Sequence, residues 1–237
     1  MTSVPHLAFL LVLAGIFGAT LFGLLSRNVQ AVVNGVASVL AASVPDVIEL
    51  GIALGSGTDV AFGPELSLWI AVAGFLHMLG MLGWYETVWW WDHLTHTVSA
   101  ALVAALVYAS LHTHLLNAPG SQVTEAYAAV FTVLFTLGVG VVWELVELAA
   151  RELGERIDRP PVLEYYGLRD TALDMAFNGV GAVAVVAFDV REFVSVAEQI
   201  PRITEAVVVG GPVLLFVSAV GIGIALRTLQ QADPDTK

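Results

Sequence analysis

Cysteine is absent from the 237 residues, and lysine occurs once, at Lys237. Without thiols the chain forms no disulfide, offers no thiol nucleophile and builds no Cys-ligated zinc or iron–sulfur centre. Without an internal lysine it cannot carry the intramembrane Schiff base that a seven-helix retinal protein needs. Charge is scarce as well. Asp, Glu, Lys and Arg make up 13% of the chain, against about 25% in soluble domains, and hydrophobic residues reach 57%. The mean hydropathy is +0.82. Disorder and an ordinary soluble domain are both excluded. Positive charge is the scarcer sign: 9 Lys and Arg face 21 Asp and Glu, a formal net charge of −12. Phosphate binding takes clustered Lys and Arg, so nucleic acid is excluded as a partner. Acidity with arginine preferred to lysine points to a salty cytoplasm, as in a halophilic archaeon, where screening tolerates like charge.

What the chain has in abundance is long apolar runs. A spanning helix needs about 20 mostly apolar residues. Residues 7–25, 66–85, 97–116, 126–149, 171–190 and 204–226 meet that length. Residues 29–54 form a seventh run, broken by Pro45 and carrying Asp46 and Glu49. The expected fold is therefore all-α: one integral membrane domain over residues 1–237, a polytopic transmembrane bundle of six or seven helices. The first run has no positive charge before it, since Arg27 follows it, so it reads as a retained span and not a cleaved signal peptide. Gly63-Pro64-Glu65 marks a helix start and residues 117–121 a tight turn; residues 230–237 read as a frayed polar tail. Trp84, Tyr85, Trp89, Trp90 and Trp91 read as an interfacial belt.

Arg151, Arg156, Arg159 and Arg169 share one loop, which makes that loop cytoplasmic in a plasma-membrane protein. Seven spans then place the C-terminus inside and the N-terminus outside. Six spans move only the N-terminus.

Three short acidic clusters carry the chemistry. Asp92-His93-Leu94-Thr95-His96 opens one span, Trp143-Glu144-Leu145-Val146-Glu147 closes the next, and Asp170 to Asp174, with Asn178 beyond, opens the one after. Consecutive spans alternate direction, so all three clusters lie at the same membrane face. Within each, the spacing converges: Asp92 and His96 are i,i+4, Glu144 and Glu147 are i,i+3, and Asp170, Asp174 and Asn178 form an i,i+4,i+8 ladder. Acidic groups in a span cost up to roughly 2.5–3.5 kcal/mol each on insertion scales, and gathered carboxylates repel. Arg151 and Arg169 are too few to neutralise five of them. A divalent metal or retained protons must do so. Histidine with carboxylate suits zinc, iron or manganese better than magnesium. Asp92, His93, His96, Asp170 and Asp174 are the candidate ligands, and Glu144 and Glu147 the candidate general bases.

Each cluster also has a plainer reading. A Glu-x-x-Glu pair ordinarily marks a solvated helix face, Asp170 suits an N-cap, and Arg151 stands four residues after Glu147 as a salt-bridge partner would. His77, in mid-span, reads as a proton group or a helix–helix contact. His112 and His114 lie about 27 Å from His96 and read as outer-interface residues.

The order Leu76-His77, Gly80, Tyr85 and Trp90 to His96, then Trp143 to Glu147, then Asp170 to Ala182, resembles the uncharacterised integral membrane family that includes bacterial YjdF inner-membrane proteins. More distantly it is similar to the VanZ-like family, associated with glycopeptide-antibiotic resistance; Glu147 stands where that family tends to have Gln. The resemblance covers residues 66–188. It implies a polytopic helical fold and one shared site at Asp92, His93, His96, Glu144, Glu147, Asp170 and Asp174. It implies no particular reaction. Three functions remain open: a metal-dependent hydrolase or transferase acting on a membrane lipid or isoprenoid head group, a proton or metal-cation transporter, and a non-catalytic protein held by a structural metal.

Overall fold

The computed structural model describes residues 3–116, 124–163 and 165–231. Among these residues there is no strand. The helices are α1 (Val4–Leu25), α2 (Val29–Ala42), α3 (Val44–Ser56), α4 (Pro64–Leu79), α5 (Tyr85–Thr87), α6 (Trp91–Leu111), α7 (Glu125–Arg156), α8 (Leu168–Ala187), α9 (Val194–Gln199) and α10 (Pro201–Gln231). Wider π-helical turns follow α4 at Gly80–Trp84 and α6 at His112–Leu116. Seven runs among the described residues are long and apolar enough to cross a membrane, and Val29–Ser56 is one of them. The protein is an all-α polytopic bundle. The turn expected at residues 117–121 and positions 232–237 of the polar tail lie outside the described residues. Gln230 and Gln231, placed in that tail by sequence, end α10.

Local chemistry sets the helix ends. Ser3 Oγ accepts the His6 amide, and Asn28 Oδ1 accepts the Ala31 amide, each satisfying an otherwise unpaired N–H. Pro45 sits in the first turn of α3, where its missing N–H costs little, so the run breaks at Ser43 and resumes. Pro64 opens α4 behind Gly63 in the same way.

The central element is α6, the most buried of the spans, polar in its first two turns and apolar beyond them. It packs most closely on α8. A Cβ at Gly181 would lie against the Thr97 carbonyl and the Ala101 amide, so only glycine permits that approach. α2 packs on α1 and α4; α7 packs on α6, α8 and α10. One apolar cluster, including Leu111, Val107, Phe193 and Val208, fills the end of the bundle where α6 finishes. A smaller one, Ile16, Ala42, Ala71 and Met78, joins α1, α2 and α4. The outer faces of α1 and α10 expose Leu11, Phe22, Val209, Phe216 and similar side chains. Water would not tolerate that surface, and lipid does.

Two sequence expectations need correction. The aromatic belt is narrower than expected. Trp84, Trp89 and Trp90 are exposed, but Trp91 is buried, with Nε1 donating to the Leu76 carbonyl at 2.9 Å, and Tyr85 turns inward. His112 is not interfacial. It is buried edge-on to Tyr108 and lies 4.0 Å from Asp189, because the corner after α8 folds over the end of α6.

Candidate functional site

α7 has 32 residues, about 48 Å at 1.5 Å per residue, whereas hydrocarbon is about 30 Å thick. Counting from Glu125, the helix leaves the apolar layer near Glu144. The starts of α6 and α8 reach the same level from the opposite direction. The three acidic clusters therefore meet at one end of the bundle, the end that carries the residue 157–167 loop.

At that end is a polar pocket of about 10 Å³. It is lined by Asp92, Glu147, Asp170, Asp174, His77, His96, Tyr85 and Tyr166. That volume is close to what one water or one ion occupies. The four carboxylates are faced by no Lys or Arg among the lining residues. Like charges at such range cannot all ionise without a proton or a cation between them.

Within it, one oxygen each of Asp92 and Asp174 and one nitrogen of His96 lie within 4.8 Å of one another. His96 Nε2 is 3.7 Å from Asp92 Oδ1 and 3.8 Å from Asp174 Oδ1. These separations are too long for hydrogen bonds. They are close to the roughly 3.4 Å edge of a tetrahedron with ligands at about 2.1 Å. On the other side of the ring, His96 Nδ1–H donates to Asn178 Oδ1 at 3.3 Å. Nδ1 thus carries a proton, and in the neutral ring the Nε2 lone pair faces two carboxylates. Asn178 fixes the tautomer, as an outer partner of a metal-bound histidine does. Asp174 Oδ1 is buried and makes no hydrogen bond. The donor set and its orphaned oxygen fit a divalent cation.

The remaining sequence candidates arrange themselves around this centre. His93 stacks face to face on Phe177, and its Nδ1 lies 4.0 Å from Asp174 Oδ1. Asp170 lines the pocket from the first turn of α8; the N-cap position belongs to Gly167. Glu147 lines the pocket and accepts Trp143 Nε1–H at 2.7 Å. Glu144 is buried beside the pocket without lining it, and its Oε1 makes no hydrogen bond. Arg151 does not pair with Glu147. Its Nε donates to Glu155 at 2.9 Å, and its guanidinium lies over Tyr165. Arg169 is exposed and lines neither pocket.

Tyr85 and Tyr166 are pocket residues that sequence reasoning missed. Tyr85 reaches inward because α4 gives way to the π turn, where Gly83 has φ 104°, a value costly for any side chain. A Cβ at Gly80 would collide with the edge of the Tyr85 ring. The phenol then lies 2.6 Å from His77 Nδ1. The phenolic O–H is the stronger donor, so it donates, and the imidazole proton moves to Nε2. The Gly80-x-x-Gly83 spacing was the available signal. It marks an interrupted helix without saying what folds back.

A second cavity, about 350 Å³ and mostly apolar, lies directly beneath and shares His77 and His96 with the polar pocket. Its lining comes from α2, α4, α6, α7 and α8.

The family model described as "Predicted membrane protein (DUF2238)" matches residues 6–193. No curated protein and no solved structure matches the chain.

Proposed function

The chain belongs to the DUF2238 family of predicted membrane proteins, and from that premise we propose a membrane-embedded enzyme that uses a divalent cation on the head group of a lipid or isoprenoid substrate. One observation carries this reading: an ion-sized pocket of His and carboxylate groups abuts an apolar cavity in the bundle, with His77 and His96 lining both. The polar pocket suits a charged or ester head, and the cavity suits hydrocarbon.

Asp92, His96 and Asp174 would hold the cation, with His93 and Asp170 beside them. One nitrogen with hard oxygens favours zinc, iron or manganese over magnesium. When bound, such a cation polarises a phosphoryl or ester oxygen and lowers the pKa of bound water. Glu147, which lines the pocket, is the better placed general base of the two glutamates. Arg151 and Arg156 at the end of α7, Arg159 beyond it and Arg169 at the start of α8 support a cytoplasmic face here by the positive-inside rule, with the C-terminus on the same side of a plasma membrane, and the acidic surface supports a salty cytosol.

The test is metal analysis of protein purified without chelator, alongside phosphate release from a panel of prenyl and alkyl phosphates. One equivalent of metal is expected in the wild type and in Glu147→Gln, and little in Asp174→Asn, with turnover in the wild type alone. Absence of stoichiometric metal from the wild type overturns the reading. Metal that stabilises the fold without turnover makes the site structural. Cation flux in proteoliposomes replaces catalysis by transport.

A further inference from the structure

The apolar cavity has a direction and a mouth. On α6 its lining runs from Thr95 to Val103, on α4 from His77 to Ile70, and on α7 from Trp143 to Thr136. The stretches advance seven or eight residues, about 10–12 Å along a helix. All begin at the polar pocket and end deep in the bundle. The cavity is a slot with one polar end.

Its side is open. α2 belongs with α1 and α4, α7 belongs with α8 and α10, and the slot lies between the two groups. Ser99 sits in mid-α6, the most buried helix, yet is exposed, because it faces the slot. Ala37 and Ala41 on α2 and Trp143 on α7 are exposed lining residues at the rim. At membrane depth this opening faces hydrocarbon. Above it the opening is bridged: Gln30 Nε2 donates to the Pro161 carbonyl and Asn34 Nδ2 to the Val162 carbonyl, both at 2.8 Å. The loop after α7 is thereby tied to α2 across the top of the gap.

Size restricts the occupant. A cavity of about 150 Å³ takes one benzene, so about 350 Å³ takes on the order of a dozen carbons. That is one chain.

We propose that the slot between α2 and α7 is the binding site for a single hydrocarbon chain, straight or isoprenyl, that enters sideways from the bilayer and sets its polar head against His77 and His96. The assignment rests on the enzymatic reading for its purpose, but its test does not depend on catalysis. The tied loop leaves the lateral gap as the path for the chain, and the small residues Ala37, Ala41, Ala73 and Gly74 keep that path open.

The experiment uses full-length protein in phosphatidylcholine nanodiscs and a C12 alcohol bearing a terminal diazirine. Cross-links are expected at Leu102, Val103 and Thr136, and excess dodecanol or farnesol should compete them away. Competition by one alcohol only assigns the chain as straight or isoprenyl. Ser99→Phe, which fills the slot, and Ala37→Trp, which narrows its mouth at an exposed position, should each cut those cross-links at least fivefold. Metal content and Tm are measured on the same preparations. Cross-links confined to the lipid faces of α1 and α10, or insensitive to both competitors or to both variants, overturn the proposal. Competed slot labelling in metal-free protein upholds it while the enzymatic reading falls.

Discussion

Asp174 shows how burial turns an ordinary acid into a demand for a counter-charge. Its Oδ1 is buried, unpaired and 3.8 Å from a histidine nitrogen whose other side is committed to Asn178. Tyr85 makes the companion case among neutral groups. Tyr85→Phe removes one hydrogen bond and leaves His77 Nδ1 without its donor. A loss of about 1 kcal/mol is expected, read as a lower Tm in nanodiscs, with metal content unchanged. At the opposite end, Asp189 accepts Arg191 Nε at 2.8 Å and the Tyr108 hydroxyl at 3.0 Å, with His112 also facing it. The bond from Arg191 holds its carboxyl below the ordinary range. A group lowered by folding stabilises above its unfolded value, about 3.9, and that stabilisation fades as pH falls through the lowered one. Tm should therefore drop more steeply in wild type than in Asp189→Asn between about pH 5 and 3. Asn tolerates the positive φ of 51° at this corner, so the backbone is kept. The group is exposed to solvent, so the difference is small.

Helices carry the site because α6 and α8 can approach closely. Asp92 and His96 come from one, Asp174 and Asn178 from the other, and Gly181 sets the distance between them. Gly181→Val would drive a branched side chain into the Thr97 carbonyl, which belongs to the backbone and cannot turn aside. A cost of about 1–3 kcal/mol is expected, measured by thermal unfolding, together with weakened metal retention because His96 and Asp174 move apart. A counterpart on an exposed face, Gly221→Val, has open space and should change neither. The interruption after α4 acts in the opposite sense, sacrificing helix continuity so that Tyr85 can meet His77.

Taken whole, the molecule is a lipid-facing bundle with its charge confined to the ends. The absence of cysteine makes its topology directly testable, since single cysteines can be introduced at Asp158 and Glu192. With the residue 157–167 loop inside, an impermeant maleimide on intact cells should label Glu192→Cys and leave Asp158→Cys unlabelled until lysis; the reverse pattern inverts the protein. Hydrophobic run length was enough to read the helical class and the seven-span alternative, because a bilayer imposes one length on every span. Alternation of direction was enough to bring Asp92, Glu147 and Asp174 to one face, since that is topology and needs no packing. The same rules could not tell Glu144 from Glu147, which differ in which side of α7 meets the pocket. They could not turn Arg151 toward Glu155, place Tyr85 on His77, or bury His112. Each of these depends on helix rotation, on a break in helical periodicity, or on a corner folding over a helix end. The slot is the extreme case: its lining comes from five helices, and its emptiness is a property of side chains that fail to meet, which no local pattern records.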